Sequence, residues 1–164
     1  MRDWKIEESA LNQLSNFTII QSYNLTILQF YNFTIRSNMV TAIIGKDHYK
    51  TQLLSPGHEL VADEAVDVGG TGLGPGPGEF LLISLASCTA ITLRMYADRK
   101  KWPVEKISVE VGSERLNNTT VFLRHIYLEG ALNEEQRKRM VQIANSCPVH
   151  KTLTNPIEVK TELL

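Results

Sequence analysis

Cysteine is scarce in this chain: only Cys88 and Cys147 occur among its 164 residues. Two cysteines cannot build a disulfide framework or a four-cysteine zinc site. They can form one redox pair. A metal site at Cys147 and His150 would need further ligands, with Cys88 and either His58 or His125 as candidates, and these spacings match no known zinc pattern. We therefore predict neither a metal site nor a bound cofactor.

The chain also lacks an excess of charge of either sign. It has 17 Lys and Arg residues and 18 Asp and Glu residues, for a formal net charge of -1. Such a balance provides no basic surface for nucleic acid and no basic block for an anionic membrane. The apolar runs look far shorter than the ~20 residues that a membrane-spanning helix needs. We expect neither nucleic-acid binding nor membrane insertion.

Glycine and proline are missing from the first 38 residues, which nevertheless hold 6 of the 12 aromatic residues. Units beginning NFTI, NLTI and NFTI recur at Asn16, Asn24 and Asn32, with apolar and polar residues alternating as in a strand. Acidic residues near the start and the lack of a cleavage site argue against a signal peptide. We predict a cytoplasmic protein with an extension at 1–38 and a domain at 39–164. The alternative is that the extension adds a strand pair or a partner-binding arm.

The domain shows the pattern of an α+β fold with antiparallel sheets rather than a βαβ nucleotide fold. We predict strands at 40–45, 48–53, 58–62, 107–111, 120–129 and 157–163, a buried helix at 80–97 and a capped helix from 133 to 146. Pro148 suits the first position of a further short helix, which makes Cys147 its N-cap.

The glycine-rich run at 69–78 is not a phosphate-binding loop. No Lys or Arg occurs between Gly69 and Leu93, and Pro75 and Pro77 remove amide donors. We interpret the run as a stiff loop that leads into the buried helix.

The cysteines differ in their surroundings. Cys88 lies among apolar residues in the middle of the predicted helix, as a small core residue also would. At a helix N-terminus the thiolate of Cys147 would be stabilised by free amides, and His150 could favour the anion further. Glu79 precedes Cys88 by nine residues, about two and a half helical turns. Glu79 therefore faces away from Cys88 of its own chain, unless the helix breaks, and could reach the Cys88 of a second subunit.

The segment GPGPGEFLLISLASCTAITLRMYADRKKWPVE, followed almost sixty residues after Cys88 by CPVHKTL, resembles the OsmC/Ohr family of thiol-dependent peroxidases. The upstream segment GHELVADEAVDVGGTGLGP resembles the same family's lead-in to its central helix. The resemblance covers residues 39–164.

This resemblance implies an OsmC-like fold, in which two subunits intertwine as a homodimer and sheets wrap around two long central helices. It implies that Cys88 attacks an organic hydroperoxide and becomes a sulfenic acid. Cys147 would then resolve it as a disulfide within the same subunit, and a dithiol, lipoyl-linked in the family, would reduce that disulfide.

Two positions depart from the family pattern. The family's catalytic Glu precedes the reactive Cys by ten residues, where this chain has Gly78, and Glu79 follows it. The family's activating Arg lies on an early strand, where this chain offers only Lys46 and Lys50 besides histidine. Arg115 is a substitute candidate for contact with thiol or substrate. Without a nearby cation, a thiol in an apolar helix has a raised pKa.

A second function therefore remains open. A non-catalytic OsmC-like protein could use the apolar pocket at the dimer interface for a small ligand, with its thiols incidental.

Overall fold

The computed structural model describes residues 39–164, so the predictions for residues 1–38 lie outside the described part of the chain. The strands are β1 (Thr41–Ile44), β2 (Thr51–Ser55), β3 (His58–Ala62), β4 (Val104–Leu116) and β5 (Thr119–Gly130). The α-helices are α1 (Pro77–Lys100), α2 (Glu134–Ala144) and α3 (Pro148–Thr154), and a 3-10 turn spans Val66–Val68. The predicted α+β class, with antiparallel sheets and a long central helix, is confirmed.

The first sheet is an antiparallel meander in the order β1-β2-β3. Its second turn closes where Ser55 pairs with His58, and Gly57 adopts a left-handed φ of 77° that glycine accepts without steric cost. All four residues of β1 are exposed. A small sheet needs an apolar face packed on another element, and within residues 39–164 β1 contacts only β2 to an appreciable extent.

Asp63 fixes the glycine-rich loop that leads from β3 to α1. Its buried carboxylate accepts hydrogen bonds from the hydroxyl and the amide of Thr71 and from the amides of Glu64 and Leu73. The hydrogen bond from the Thr71 hydroxyl outweighs burial and lowers the pKa of Asp63 to about 2. The predicted stiff loop is thus held by a carboxylate that is ionised at neutral pH.

A long hairpin of β4 and β5 supports the central helix. The strands pair from Val104 opposite Gly130 to Leu116 opposite Thr119. Helix α1 packs against β4, α2 and α3. The core between these elements contains the buried residues Leu93, Tyr96, Ala97, Val104, Met140 and Ala144.

Helix α1 has two unlike faces. Leu85, Thr89 and Leu93 are buried, whereas Ile91 and Met95 are 60% and 67% exposed. By length and apolar composition alone, its 24 residues could cross a membrane. The core helix of a water-soluble protein can have the same length and composition. The expectation that no apolar segment is long enough to span a membrane was therefore wrong as far as length is concerned. Its packing against β4, α2 and α3 identifies α1 as the core helix of the fold.

The predicted last strand at 157–163 was wrong for the single chain. The structure assigns no helix or strand to residues 156–164, and all of them are exposed. Alternating residues favour a strand only where another strand offers backbone partners. Within the described residues, neither sheet pairs with this segment.

Candidate active site: two thiols between the central helix and a helix N-terminus

The two cysteines come from elements that meet at the centre of the fold. Cys88 lies in the middle of α1, which runs unbroken from Pro77 to Lys100. Cys147 is the N-cap of α3, as Pro148 at the first helical position predicts. The contact between α1 and α3 brings the two residues together.

The sulfur atoms of Cys88 and Cys147 lie 2.8 Å apart, and both residues are free thiols. Cys147 is fully buried, whereas Cys88 is half-buried. The pair can therefore close a disulfide with a small adjustment of the side chains. Solvent or substrate reaches the pair through Cys88.

The two thiols ionise unequally. Burial raises the pKa of Cys88, and the adjacent Cys147 raises it further, beyond what the Val149 amide and the Thr92 hydroxyl counteract. Burial also acts to raise the pKa of Cys147. Hydrogen bonds from Cys88 and from the amides of His150 and Val149 outweigh burial and lower that pKa. The first thiolate of the pair therefore forms at Cys147.

Arg124 is the cation that the sequence analysis missed. It lies on β5, and its guanidinium donates hydrogen bonds to Thr89 Oγ1 at 3.1 Å, the Ala144 carbonyl at 3.1 Å and Asn145 Oδ1 at 2.7 Å. A signal was present: Arg124 shares the less exposed face of β5 with Phe122 and with apolar residues at the following alternate positions. An arginine in such a row points inward with its neighbours.

His150 lines the same region without adding a charge at neutral pH. Burial lowers the pKa of its imidazole, and the positive charge of Arg124 lowers it further. His150 acts on Cys147 through its backbone amide, which is one of the groups that lower the pKa of that thiol. The role predicted for the His150 side chain as a thiol-activating group stays a prediction.

Glu79 and Arg115 lie elsewhere in the chain. A Glu79 carboxylate oxygen accepts a hydrogen bond from the Gly76 amide at 2.8 Å and so caps the start of α1. Arg115 is exposed and pairs with Thr120 near the turn of the hairpin. Within residues 39–164, no hydrogen bond joins either side chain to a cysteine.

Two cavities lie near the two cysteines, and neither cysteine is among the residues that line them. One of about 410 Å³ is lined mainly by apolar atoms and includes Thr92, Met95, Ile143 and Pro148. Thr92 lies one helical turn after Cys88 on α1, and Pro148 follows Cys147 in the chain. The other cavity, of about 430 Å³, is lined by residues that include Arg124 and His150.

A metal centre finds no support in the described part of the chain. Within it, no group of three or more His, Cys, Asp and Glu residues is arranged to hold a metal ion.

Comparison with known proteins gives one family. The family model described as OsmC-like protein matches residues 70–162. A search of curated proteins finds no significant match.

Similar solved structures have the same fold. An OsmC-like protein from Mycoplasma pneumoniae is 23% identical, with a TM-score of 0.61 over 70% of this chain and 85% of that one. An osmotic stress-induced and detoxification response protein from Psychrobacter arcticus is 22% identical, with a TM-score of 0.60 over 69% of this chain and 85% of that one. An organic hydroperoxide resistance protein from Elizabethkingia anophelis is 19% identical, with a TM-score of 0.56 over 74% of this chain and 90% of that one.

Proposed function

The chain belongs to the OsmC-like protein family, and on that basis we propose that it is a thiol peroxidase that reduces organic hydroperoxides. The observation that carries the proposal is the 2.8 Å separation of the sulfurs of Cys88 and Cys147, one half-buried and one fully buried. Two thiols at this distance can pass from sulfenic acid to disulfide without unfolding.

The proposed cycle begins at Cys88, the more accessible thiol. Its thiolate attacks the terminal peroxide oxygen and the O–O bond breaks, so that Cys88 becomes a sulfenic acid. The departing alkoxide takes a proton from water and leaves as an alcohol. Before the attack, the proton of Cys88 passes to the Cys147 thiolate in contact with it. The Cys147 thiol then attacks the Cys88 sulfur, the S–O bond breaks, and the proton of Cys147 passes to the departing hydroxide, which leaves as water. A dithiol, lipoyl-linked in the family, reduces the disulfide and is itself oxidised.

The substrate class follows from the cavity beside Thr92. A cavity of about 410 Å³ with apolar side chains, among them Met95 and Ile143, suits the hydrocarbon part of an organic hydroperoxide. Hydrogen peroxide would leave that apolar surface unused. We therefore expect preference for the organic substrate, in a reducing compartment such as the cytoplasm, where free thiols persist.

The proposed enzyme is an intertwined homodimer. Leu81, Ile91 and Met95 are at least half exposed on α1, and all four residues of β1 are exposed in the part of the chain that the structure describes. Exposed apolar surfaces on both elements suit mutual burial between two copies. The domain assignment at 39–164 belongs to the same proposal.

Glu79 and Arg115 can act at Cys88 only if a second subunit supplies them or if the chain moves. Because α1 is unbroken, Glu79 lies about two and a half turns from Cys88 of its own chain. In a homodimer, Glu79 of one copy can serve the Cys88 of the other.

A dithiol-driven assay tests this function. Loss of an organic hydroperoxide and of hydrogen peroxide is followed with wild type, Cys88→Ser and, as a matched control, Ser87→Ala at the adjacent exposed position. We expect Cys88→Ser to reduce turnover by at least about 100-fold, while Ser87→Ala stays near wild type. Equal background rates for wild type and Cys88→Ser would refute the enzyme and favour the alternative of a non-catalytic protein that binds a small apolar ligand.

A further inference from the structure

Arg124 connects the two parts of the chain that hold the thiols. Thr89, which accepts one of its hydrogen bonds, follows Cys88 on α1. Ala144 and Asn145, which accept the others, end α2 just before Cys147. A guanidinium has a rigid planar set of donors, so these contacts fix its orientation as well as its position.

The positive charge of Arg124 is not neutralised by its partners. They are a hydroxyl, a backbone carbonyl and a side-chain amide. In the described residues, no carboxylate forms an ion pair with it. An unpaired, half-buried charge acts strongly on nearby ionisable groups because water screens it little.

The ionisable groups around Cys147 are few. Cys88 faces it from α1, Arg124 from β5 and His150 from α3. His150 is neutral near pH 7, since burial and Arg124 lower the pKa of its imidazole. Arg124 is thus the cation of this group, and it interacts electrostatically with Cys147.

We propose that Arg124 is a positioning residue that keeps the thiolate of the pair at Cys147, which makes Cys147 the leaving group when a dithiol reductant attacks the disulfide. This inference rests on the proposed function for its place in a catalytic cycle. The attacking thiolate bonds to the Cys88 sulfur, the bond between the two cysteine sulfurs breaks, and its electrons leave on Cys147. The second thiol of the reductant then releases Cys88, and the oxidised product is the cyclic disulfide of the reductant.

Two observations give this direction of attack. Cys147 is fully buried, so a reductant reaches the sulfur of Cys88 more readily. Thiol exchange is also faster when the departing sulfur is the better-stabilised anion. The amides of Val149 and His150 and the charge of Arg124 act on the Cys147 sulfur.

Thiolate titration tests the charge effect without any peroxidase activity. In a Cys88→Ser background, Cys147 is the single thiol, and its ultraviolet thiolate absorbance is followed against pH. We expect Arg124→Met to move the midpoint to higher pH and Arg124→Lys, which keeps the charge, to move it much less. Circular dichroism confirms that each variant is folded. An unmoved midpoint in folded Arg124→Met overturns the proposal.

Trapping the mixed disulfide tests the direction of attack in the unmodified sequence. The Cys88–Cys147 disulfide is formed with diamide, treated briefly with a monothiol, blocked with acid and an alkylating agent, and mapped by mass spectrometry. We expect the monothiol on Cys88 and a free Cys147, and reduction by a dithiol slower by about threefold to tenfold in Arg124→Met. A monothiol found mainly on Cys147 overturns the proposal. If peroxide turnover is absent while both results appear, only the proposed function is refuted.

Discussion

The resolving role proposed for Cys147 leads to a quantitative expectation for Cys147→Ser. In wild type, the sulfenic acid at Cys88 can react with Cys147 or with a second hydroperoxide molecule, which oxidises it to sulfinic acid. Cys147→Ser removes the first route. Serine preserves the size of a side chain that is fully buried.

The magnitude follows from the geometry of the pair. The sulfurs lie 2.8 Å apart, so closure to a disulfide needs an approach of about 0.8 Å. Oriented intramolecular groups reach effective concentrations far above 1 M. Even about 1 M exceeds a hydroperoxide concentration of about 1 mM by roughly 1,000-fold at comparable intrinsic reactivity. Wild type should therefore divert well under about 1% of its sulfenic acid to sulfinic acid per cycle, and Cys147→Ser nearly all of it.

Intact-mass spectrometry measures this partition. Each protein receives about five equivalents of an organic hydroperoxide, without reductant, in a single addition. Wild type should lose two hydrogen atoms, and Cys147→Ser should gain two oxygen atoms at Cys88. Cys88→Ser is the matched control and should gain none, because its remaining thiol is fully buried.

Two results would refute the reasoning. Sulfinic acid in wild type at the level of Cys147→Ser would show that the contact between the sulfurs does not resolve the sulfenic acid. A disulfide that joins two chains would show that resolution occurs between subunits.

The remaining expectations concern stability and assembly. Leu93→Ala should lower the free energy of unfolding by about 2–5 kcal/mol because the side chain is fully buried, whereas Val141→Ala, at a position 57% exposed, should cost under about 1 kcal/mol. Urea unfolding measures both, and equal losses would contradict the core assignment. Asp63 has a pKa of about 2 in place of 3.8, so its carboxylate contributes stability that is fully present above pH 4 and is lost as the pH falls toward 2. Acid titration followed by circular dichroism should thus bring the stabilities of wild type and Asp63→Asn together in that window, and a constant difference would count against the loop contacts. Ile91→Glu, on the exposed face of α1, should give monomers by light scattering, while Val141→Glu should stay dimeric. A dimeric Ile91→Glu would show that the interface does not include this face of α1.

Local patterns predicted the elements of this fold and one detail of its site. Proline at position 148 was enough to predict Cys147 as the N-cap of α3. The contact with Cys88 could not be predicted in the same way, because it depends on how α3 packs across α1. The strand at 157–163 failed for a related reason, since its alternating residues say nothing about which strand would pair with them.

The sequence also left the cation near the thiols unresolved, because the candidates considered were Lys46 and Lys50 near the early strands and Arg115. A charge acts through space, and β5 brings Arg124 to the thiols from a position 36 residues after Cys88 in the chain. Arg124 interacts electrostatically with Cys147, and this changes which step of the proposed cycle its charge favours. A cation at Cys88 would favour the attack on peroxide, whereas a cation at Cys147 favours the departure of that sulfur from the disulfide. With the raised pKa of Cys88, this arrangement predicts a chain that is reduced readily and oxidised slowly unless a second subunit supplies a further cation at Cys88.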